Sequence, residues 1–455
     1  MSIKVLIVDD SNFFRRRISE IITSDPGMEV VGTVSNGKDA VAMVSSLKPD
    51  VVTMDVEMPI MDGINAVKGI MSACPTPIIM FSSLTQESAD ITFNALEAGA
   101  LDFITKNFDD IARDKEEARK FILSKIRDIS RKHNQVVSIA ISKYNYGKTS
   151  TGVAQTSKKE RTAFENRNGT ESKSYRSGLD SSRIFQRPVT EPHRYTSSNK
   201  TVGFQTNSTR TLLRSDPAVY SPKIAKPVSH VYEKVFKNEP DPKIAVPLNV
   251  KELTAATFEP SGKKYSLVAI GASTGGPIAI QSVISRIPAD FPVPILVVQH
   301  MPATFTTSFA ARLDKMSKIS VREAHHGDQL VPGVAYIAPG AKQMYIDTRK
   351  SHNYAIKVTE SDPSINFRPC IDLTFASVNN AYKGKVLAVI LTGMGADGCA
   401  GCRLLKQSGA TVWAQNEETC VIYGMPQAVV NDSIASITLP IQDIGECIVR
   451  EVMSR

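Results

Sequence analysis

A long stretch without hydrophobic periodicity divides this chain and requires it to fold in separate parts. Residues 134–263 are rich in Ser, Thr, Asn, Lys and Gly and offer no apolar face that could be buried. Such a segment cannot offset the conformational entropy that ordering would remove, so we expect a disordered linker there. Residues 1–133 and 264–455 must then each build a hydrophobic core of their own.

The linker also carries the positive charge of the chain. Between Ile141 and His230 there are 16 Lys and Arg side chains against 6 Asp and Glu, whereas the net charge of all 455 residues is only +8. The two flanking parts are therefore close to neutral. A basic segment could bind nucleic acid or acidic lipid. No folded basic face accompanies this one, so we interpret it as a tether and expect no nucleic-acid partner.

Short strands alternate with helices on both sides of the linker. In the first part the predicted strands are Val5–Val8, Met28–Thr33, Val51–Met54, Ile78–Phe81 and Asp102–Thr105, and a last helix runs from Asp110 to about Lys132. In the second part they are Ser266–Gly271, Pro294–Gln299, Val334–Ala338, Val386–Leu391 and Ala410–Gln415. Apolar strands that alternate with helices are typical of parallel sheets covered on both faces. We therefore predict two doubly wound α/β domains, the first flavodoxin-like and the second Rossmann-like.

Polar side chains follow the strands of the first domain where those strands end. Asp9 and Asp10 follow the first strand, Asp55 the third, Ser82 the fourth and Lys106 the fifth. The carboxyl ends of parallel strands form one crevice, so these groups should converge there. Three carboxylates would repel one another unless a hard divalent cation such as Mg²⁺ joined them. A carboxylate beside Mg²⁺ can accept a phosphoryl group, whose oxygens the hydroxyl and the ammonium would hold.

The motifs VLIVDDS, MDVEMPIMDG, IIMFSS and DFITK resemble those of response-regulator receiver domains. The resemblance implies a phosphorylation site with these members: Asp55 as phosphoacceptor, Asp9 and Asp10 as Mg²⁺ ligands together with Asp55, Ser82 as the switch hydroxyl, Lys106 as the lysine of the site, and Phe103 as the aromatic that reorients. The sequence departs from the receiver pattern at Asn107, which follows Lys106 where receivers usually have proline.

The second domain contains a serine at a turn that is typical of a nucleophile. The segment Gly271–Gly275, GASTG, fits the G-x-S-x-G elbow, in which a strand–turn–helix unit lifts a serine above a sheet. Pro277 predicts the start of the next helix, whose free N–H groups can stabilise an oxyanion. His300 ends the next apolar run, and Asp397 follows the run VLAVILT. We predict that Ser273, His300 and Asp397 meet as nucleophile, base and the carboxylate that orients the base.

Other residues could compete for these roles. The alternatives to the predicted base and orienting carboxylate are His325, His326, Asp347, Asp362 and Asp372. The glycines of GMGADG also satisfy the G-x-G-x-x-G pattern of dinucleotide sites, but too little chain follows them for a complete double winding. Cys399 and Cys402 form a C-x-x-C without a second pair of cysteines, so we interpret them as small residues at a helix start.

The pieces IGASTGGP, VVQHMPATFT, YIAPG, ILTGMGADG and AQNEETCVIYGMP resemble the catalytic domain of the chemotaxis protein-glutamate methylesterases. The resemblance implies Ser273, His300 and Asp397 as catalytic residues and the backbone N–H of Met394 as an oxyanion donor. It also implies γ-glutamyl methyl esters on chemoreceptors as substrates, deamidation of receptor glutamines, and a chemotaxis histidine kinase as phosphodonor. In this family the unphosphorylated receiver covers the catalytic crevice. The family connector is usually much shorter, and a long tether lowers the effective concentration of the receiver at that crevice.

We therefore expect a phosphorylation-regulated methylesterase that uses Mg²⁺ in the receiver and no cofactor in the esterase. Its rivals are a receiver with a DNA-binding output, for which we find no helix-turn-helix, a dinucleotide-dependent oxidoreductase, and a receiver-regulated scaffold without activity. No apolar run approaches the ~18–20 residues of a membrane span, and the N-terminus lacks a signal-peptide pattern. We expect a cytoplasmic protein that does not insert into a membrane.

Overall fold

The structure is a computed structural model, and it describes residues 2–106, 116–132, 235–236, 250–349 and 354–454. Most of the predicted linker, the first residues of the helix expected from Asp110, and Asn107 lie outside the described residues. Within the described ranges, no helix is both long enough and apolar enough to cross a membrane.

The first domain is a five-stranded parallel sheet with helices on both faces. Its strands are β1 (Ile3–Val8), β2 (Met28–Val34), β3 (Val51–Asp55), β4 (Ile78–Ser82) and β5 (Asp102–Thr105), in the spatial order β2-β1-β3-β4-β5. Its helices are α1 (Asn12–Thr23), α2 (Gly37–Leu47), α3 (Gly63–Ala73), α4 (Gln86–Ala98) and α5 (Glu116–Ser130). This order is that of the flavodoxin-like fold, in which ligands bind at the carboxyl ends of the strands.

Alternation along each strand fills the two cores of this domain. In β1, Leu6 and Val8 point into the core beneath α2, α3 and α4, whereas Val5 and Ile7 point into the core beneath α1 and α5. A strand buried on both faces needs apolar residues at every position, which is why these strands read as continuous apolar runs. The first four helices each begin at a capping side chain that accepts a backbone N–H: Ser11, Asn36, Asp62 and Thr85.

The second domain is built on an eight-stranded sheet whose recorded pairings are all parallel. Its strands are β6 (Lys251–Glu252), β7 (Leu267–Ala272), β8 (Ile295–Gln299), β9 (Ser320–Glu323), β10 (Val334–Ile337), β13 (Val386–Ile390), β14 (Thr411–Gln415) and β15 (Ile437–Leu439), in the order β6-β15-β14-β13-β7-β8-β10-β9. An antiparallel pair, β11 (Lys342–Asp347) and β12 (Ala355–Glu360), stands apart from this sheet.

The winding of this sheet reverses between β7 and β13. From β7 the chain moves outward to β8 and then to the edge strand β9, and β10 fills the place between them. The chain later returns to the other side of β7 through β13, β14 and β15. The helices are α6 (Gly276–Ile284), α7 (Ala303–Met316), α8 (Ile371–Tyr382), α9 (Cys399–Gln407), α10 (Gly424–Asn431) and α11 (Ile441–Met453). Both domains are thus doubly wound, as predicted. A ligand crevice is expected where the strand order reverses, beside β7 and β13.

The linker was predicted to end at residue 263, but the second domain begins earlier in the structure, at residue 250. Residues 250–263 are ordered on the second domain: β6 pairs with β15, and Phe258 is buried edge-on against Trp413 with ring centroids 5.2 Å apart. Phe236, also inside the predicted linker, is partly buried against Ile365, Cys370 and Leu373. These segments lack periodicity because single aromatic residues, and not an amphipathic face, anchor them.

Candidate active site

The chain turns sharply after β7 and brings Ser273 to the carboxyl edge of the sheet. Gly275 adopts a left-handed conformation with φ of 75° and precedes α6, in which Gly276 is the first residue. A Cβ on Gly276 would collide with the Gln299 side-chain amide, and one on Gly275 would collide with Val421. The glycines are therefore required by the close packing of the elbow as well as by its backbone conformation.

His300 bridges the serine and a carboxylate. It follows β8, and its backbone N–H donates to the carbonyl of Ala272 at 3.2 Å. Its Nδ1 lies 3.1 Å from Ser273 Oγ, and its Nε2 lies 2.7 Å from Asp397 Oδ2. The imidazole can accept a proton from Ser273 only through Nδ1. Nε2 must then carry a hydrogen, and this N–H donates a hydrogen bond to the Asp397 carboxylate.

Asp397 is held at the N-terminus of helix α8. The backbone N–H of Ile371 donates to its Oδ2 at 2.8 Å and that of Asp372 to its Oδ1 at 2.9 Å, while the Cys370 thiol lies 3.3 Å from Oδ1. Burial opposes the charged form, but the hydrogen bond and charge of His300, together with these two N–H groups, lower the pKa of Asp397. The carboxylate is therefore ionised and fixed in orientation at neutral pH.

The rival carboxylates have other partners. Asp372 accepts the Gly401 N–H at 2.8 Å, and Asp347 is paired with Arg349 in an exposed position. His325 and His326 are exposed near Asp328 and the Val358 carbonyl. Of the predicted residues, the structure therefore brings together Ser273, His300 and Asp397.

Met394 lies beside the serine. A Cβ on Gly393 would stand 2.9 Å from the Ser273 Cβ, so the segment that follows β13 runs directly past Ser273. The Ser273 N–H donates to the Thr392 carbonyl at 3.0 Å. Among the described residues, the Met394 N–H donates to no recorded acceptor. The G-x-G-x-x-G glycines are thus explained by packing around Ser273 and by the start of α9, where Gly398 has φ of 96°.

The acidic residues of the first domain also converge. One ligand atom from each of Asp9, Asp10 and Asp55 lies within 4.8 Å of the others, which makes this a group that could hold a metal ion. Lys106 Nζ lies 2.7 Å from Asp9 Oδ2 and 2.8 Å from Asp55 Oδ2. Burial raises the pKa of Asp55 to about 6; Lys106 opposes this shift, and the charges of Asp9 and Asp10 add to it.

Among the described residues, the Ser82 hydroxyl makes no hydrogen bond to this acidic cluster. Its hydroxyl is fully buried, accepts from Thr92 Oγ1 at 2.8 Å and lies 3.4 Å from the Ser88 carbonyl, both on α4. Phe103 is also buried, and its ring stacks on Phe305 of the second domain with centroids 4.7 Å apart. In this structure the Ser82 hydroxyl is thus bonded toward α4, and its role as the switch hydroxyl stays a prediction.

Two family models match the chain. That of the CheB methylesterase matches residues 268–448, and that of the response regulator receiver domain matches residues 5–113. The protein-glutamate methylesterase/protein-glutamine glutaminase 2 of Photobacterium profundum is 45% identical over 99% of this chain and 100% of its own length. That of Pseudoalteromonas translucida, with the same name apart from the number, is 44% identical over 98% of this chain and 97% of its own. The chain belongs to this family.

A solved structure is similar to the second domain alone. The crystal structure of the Thermotoga maritima CheB methylesterase catalytic domain is 42% identical and covers 41% of this chain and 98% of its own, with a TM-score of 0.40. The expectation that the connector is longer than is usual in the family stays a prediction.

The two domains of this family member touch on both sides of the crevice that holds Ser273, His300 and Asp397. On one side, Phe93 of α4 packs on Phe309 of α7 at 5.4 Å, and Arg312 binds Glu97 at 2.6 Å and Asn94 at 2.9 Å. On the other side, the second-domain residues Met394, Val421 and Ile422 join the hydrophobic cluster beneath α1 and α5. Helix α7 begins shortly after His300, and Met394 borders Ser273, so the receiver contacts both rims of the site.

The sequence patterns did not identify every residue that shapes the site. Cys370 and the start of α8 hold Asp397, and the ring of Phe367 lies parallel to that of His300, with centroids 4.3 Å apart and an interplanar angle of 2°. These residues belong to an irregular segment far from the three motifs in sequence. Neither periodicity nor a local motif indicates where such a segment returns to the sheet.

Proposed function

We propose that this chain is a protein-glutamate methylesterase that hydrolyses γ-glutamyl methyl esters on chemoreceptors and also deamidates glutamines there. The observation that carries the proposal is the hydrogen-bonded series in which His300 lies 3.1 Å from Ser273 and 2.7 Å from Asp397. A hydroxyl with a base in reach, and a base oriented by a carboxylate, is the arrangement that nucleophilic acyl transfer needs.

The first half of the reaction forms an acyl-enzyme. Ser273 Oγ attacks the ester carbonyl carbon while His300 Nδ1 takes the hydroxyl proton. The carbonyl oxygen becomes an oxyanion, which the Met394 N–H and the N-terminus of α6 would stabilise. The tetrahedral intermediate collapses, the imidazolium returns its proton to the leaving oxygen, and methanol departs. Asp397 stays ionised throughout and balances the imidazolium charge.

The second half returns the enzyme to its starting state. A water molecule loses a proton to His300 as its oxygen attacks the acyl carbon, and the Ser273 oxygen then leaves with that proton. The product is a glutamate side chain. With a glutamine substrate the same steps release ammonia in place of methanol. Both reactions require the same three side chains, so both should disappear together when one of them is removed.

The test is methanol release from methylated receptor membranes by the full chain and by Ser273→Ala. We expect the substitution to abolish release, because no other described hydroxyl has a recorded hydrogen bond to His300. The matched control is Ser285→Ala, which removes an equally small hydroxyl at the end of α6, away from the crevice. Equal methanol release by wild type and Ser273→Ala would contradict the proposal and favour a receiver-regulated scaffold.

We also propose that Asp55 accepts a phosphoryl group from a chemotaxis histidine kinase. The convergence of Asp9, Asp10 and Asp55 supports this, because carboxylate oxygens are the ligands that Mg²⁺ prefers. Bound there, Mg²⁺ would neutralise charge on the phosphoryl oxygens. Lys106 already bonds to two of the three carboxylates, so its ammonium is in reach of a group attached to Asp55.

Regulation follows from the contacts between the domains. The receiver covers apolar residues on both rims of the crevice, and a receptor helix needs access to the same edge of the sheet. We propose that this docked arrangement is the inhibited state and that phosphorylation of Asp55 weakens it. The test compares the esterase rate with and without a small phosphodonor such as acetyl phosphate, with Asp55→Asn as the control. If the phosphodonor leaves the esterase rate of the wild type unchanged, the proposal of inhibition by the receiver is contradicted, but the proposed hydrolysis mechanism is not.

A further inference from the structure

The catalytic imidazole is covered on one face by an aromatic ring from another part of the chain. The Phe367 ring lies parallel to the His300 ring, at 4.3 Å between centroids and 2° between planes. Only about 10% of the His300 side chain is exposed. The stack therefore limits rotation of the imidazole away from the line that joins Ser273 to Asp397, and it excludes water from that face.

The segment that carries Phe367 is fixed on its C-terminal side. The Arg368 carbonyl accepts the Ala341 N–H at 3.2 Å. The buried amide of Gln343 brackets the backbone of Cys370, accepting its N–H at 2.8 Å and donating to its carbonyl at 3.1 Å. The same segment then enters α8, whose first N–H groups hold Asp397. One short stretch of chain thus orients both the imidazole and its carboxylate.

The ring also has an electrostatic consequence for the reaction. The face of a phenyl ring is electronegative and attracts a cation within about 6 Å of its centroid. During the reaction His300 becomes a cation when it takes the proton from Ser273 or from the attacking water. The attraction therefore stabilises the protonated imidazole more than the neutral imidazole of the resting enzyme. An interaction that is stronger after the proton transfer than before it raises kcat.

We propose that Phe367 is a positioning residue for His300 and that its ring stabilises the imidazolium formed during both halves of the reaction. The inference rests on the proposed esterase function. The charged and titratable groups that face His300 are Asp397 at Nε2, the Ser273 hydroxyl at Nδ1 and, behind the carboxylate, the Cys370 thiol. Among the described residues, Phe367 supplies the aromatic ring that stacks on the imidazole.

The experiment compares full-length wild type, Phe367→Leu and Phe367→Tyr, each with phosphodonor and methylated receptor membranes. We expect Phe367→Leu to lower kcat roughly 3- to 30-fold with little change in KM. Loss of the ring disfavours the protonated imidazole, so the acidic limb of kcat/KM should move to lower pH by up to about one unit. Phe367→Tyr keeps the ring and should restore both the rate and the position of the limb.

A second measurement keeps the inference testable if Phe367→Leu folds poorly. The His300 imidazole is titrated by NMR in the Ser273→Ala background, with Phe367 intact and with Phe367→Tyr or Phe367→Met, and the Met variant should show the lower pKa. An unchanged kcat and an unmoved limb in Phe367→Leu would overturn the inference. So would equal losses in the Leu and Tyr variants without a shift of the limb, because these indicate packing alone. Retained activity in Ser273→Ala would instead overturn the esterase proposal itself.

Discussion

Phe93 offers the most direct test of inhibition by the docked receiver. It lies on α4 of the receiver, is 2% exposed, and packs against Phe305 and Phe309 of α7 with ring centroids 6.0 and 5.4 Å away. Undocking would expose this side chain, whereas the proposed catalytic residues Ser273, His300 and Asp397 lie in the other domain. Phe93→Ala should therefore weaken docking of the receiver and leave the residues that carry out hydrolysis unchanged.

The size of the effect can be worked from the contacts that are lost. Burying a Phe side chain contributes about 1.5–3 kcal/mol, and each well-placed aromatic pair adds about 0.5–1.5 kcal/mol. Allowing for incomplete exposure after undocking, we expect docking to weaken by about 2–4 kcal/mol. Each 1.4 kcal/mol is a factor of about ten, so the docking equilibrium should shift roughly 30- to 1,000-fold toward the open state.

The assay is methanol release without phosphodonor, measured for wild type, Phe93→Ala, and the double variant that adds Asp55→Asn. The basal rate of Phe93→Ala should approach the stimulated rate of wild type, and Asp55→Asn should not reverse this. Phe13→Ala is the matched control, because Phe13 is 53% exposed on α1 of the same domain. A folded Phe93→Ala protein whose basal rate equals that of wild type would refute the view that this contact holds the inhibited state.

Three further outcomes are expected. Asp397→Asn should lower kcat by about 10³–10⁴, measured as methanol release, because a neutral amide neither fixes the Nε2–H tautomer nor balances the imidazolium; a loss below tenfold would contradict the assigned role. Because burial raises the pKa of Asp55 to about 6, the contribution of Asp55 to the free energy of unfolding should fall as pH rises from about 4 through 6, by on the order of 3 kcal/mol without Mg²⁺. Differential scanning calorimetry of the wild type without Mg²⁺ should show this loss relative to Asp55→Asn, and Mg²⁺ should abolish the difference. The same pH dependence of the melting temperature in the wild type and in Asp55→Asn would contradict the prediction. Glu451→Ala should cost about 1–3 kcal/mol in urea unfolding, because Glu451 is buried and accepts from Tyr265 at 2.6 Å and from the Ser261 N–H at 2.8 Å; an unchanged midpoint would show that the segment before β7 is not anchored there.

The sheets were predictable because their strands are buried on both faces. An uninterrupted apolar run such as that of β7 or β13 has few alternatives to a central parallel strand. The meeting of Ser273, His300 and Asp397 followed from the same rule, since each stands at the carboxyl end of a strand and those ends share one edge. Their catalytic roles stay predictions, but their proximity depends only on strand order.

The features that escaped prediction depend on single tertiary contacts. Residues 250–263 have no periodic pattern, and they are held by Phe258 and by bonds from Ser261 to Glu451. The antiparallel pair β11–β12 and the short edge strand β9 have too few residues buried on both faces to give a clear signal. The hydroxyl direction of Ser82 is set by Thr92 ten residues later, on the next helix, and strand position alone does not encode it.

The proposed phosphorylation site of the receiver is linked to residues that contact the second domain. Lys106, which bonds to Asp55, follows β5, and Phe103 in that strand stacks on the second domain. Ser82 ends β4 and is tied through Thr92 to α4, the helix that also presents Phe93. A phosphoryl group on Asp55 that drew Lys106 and Ser82 toward its oxygens would have to break the bond to Thr92 and shift the end of β5. Both changes would act on elements that contact the second domain, α4 through Phe93 and β5 through Phe103, so phosphorylation of Asp55 would weaken docking through them.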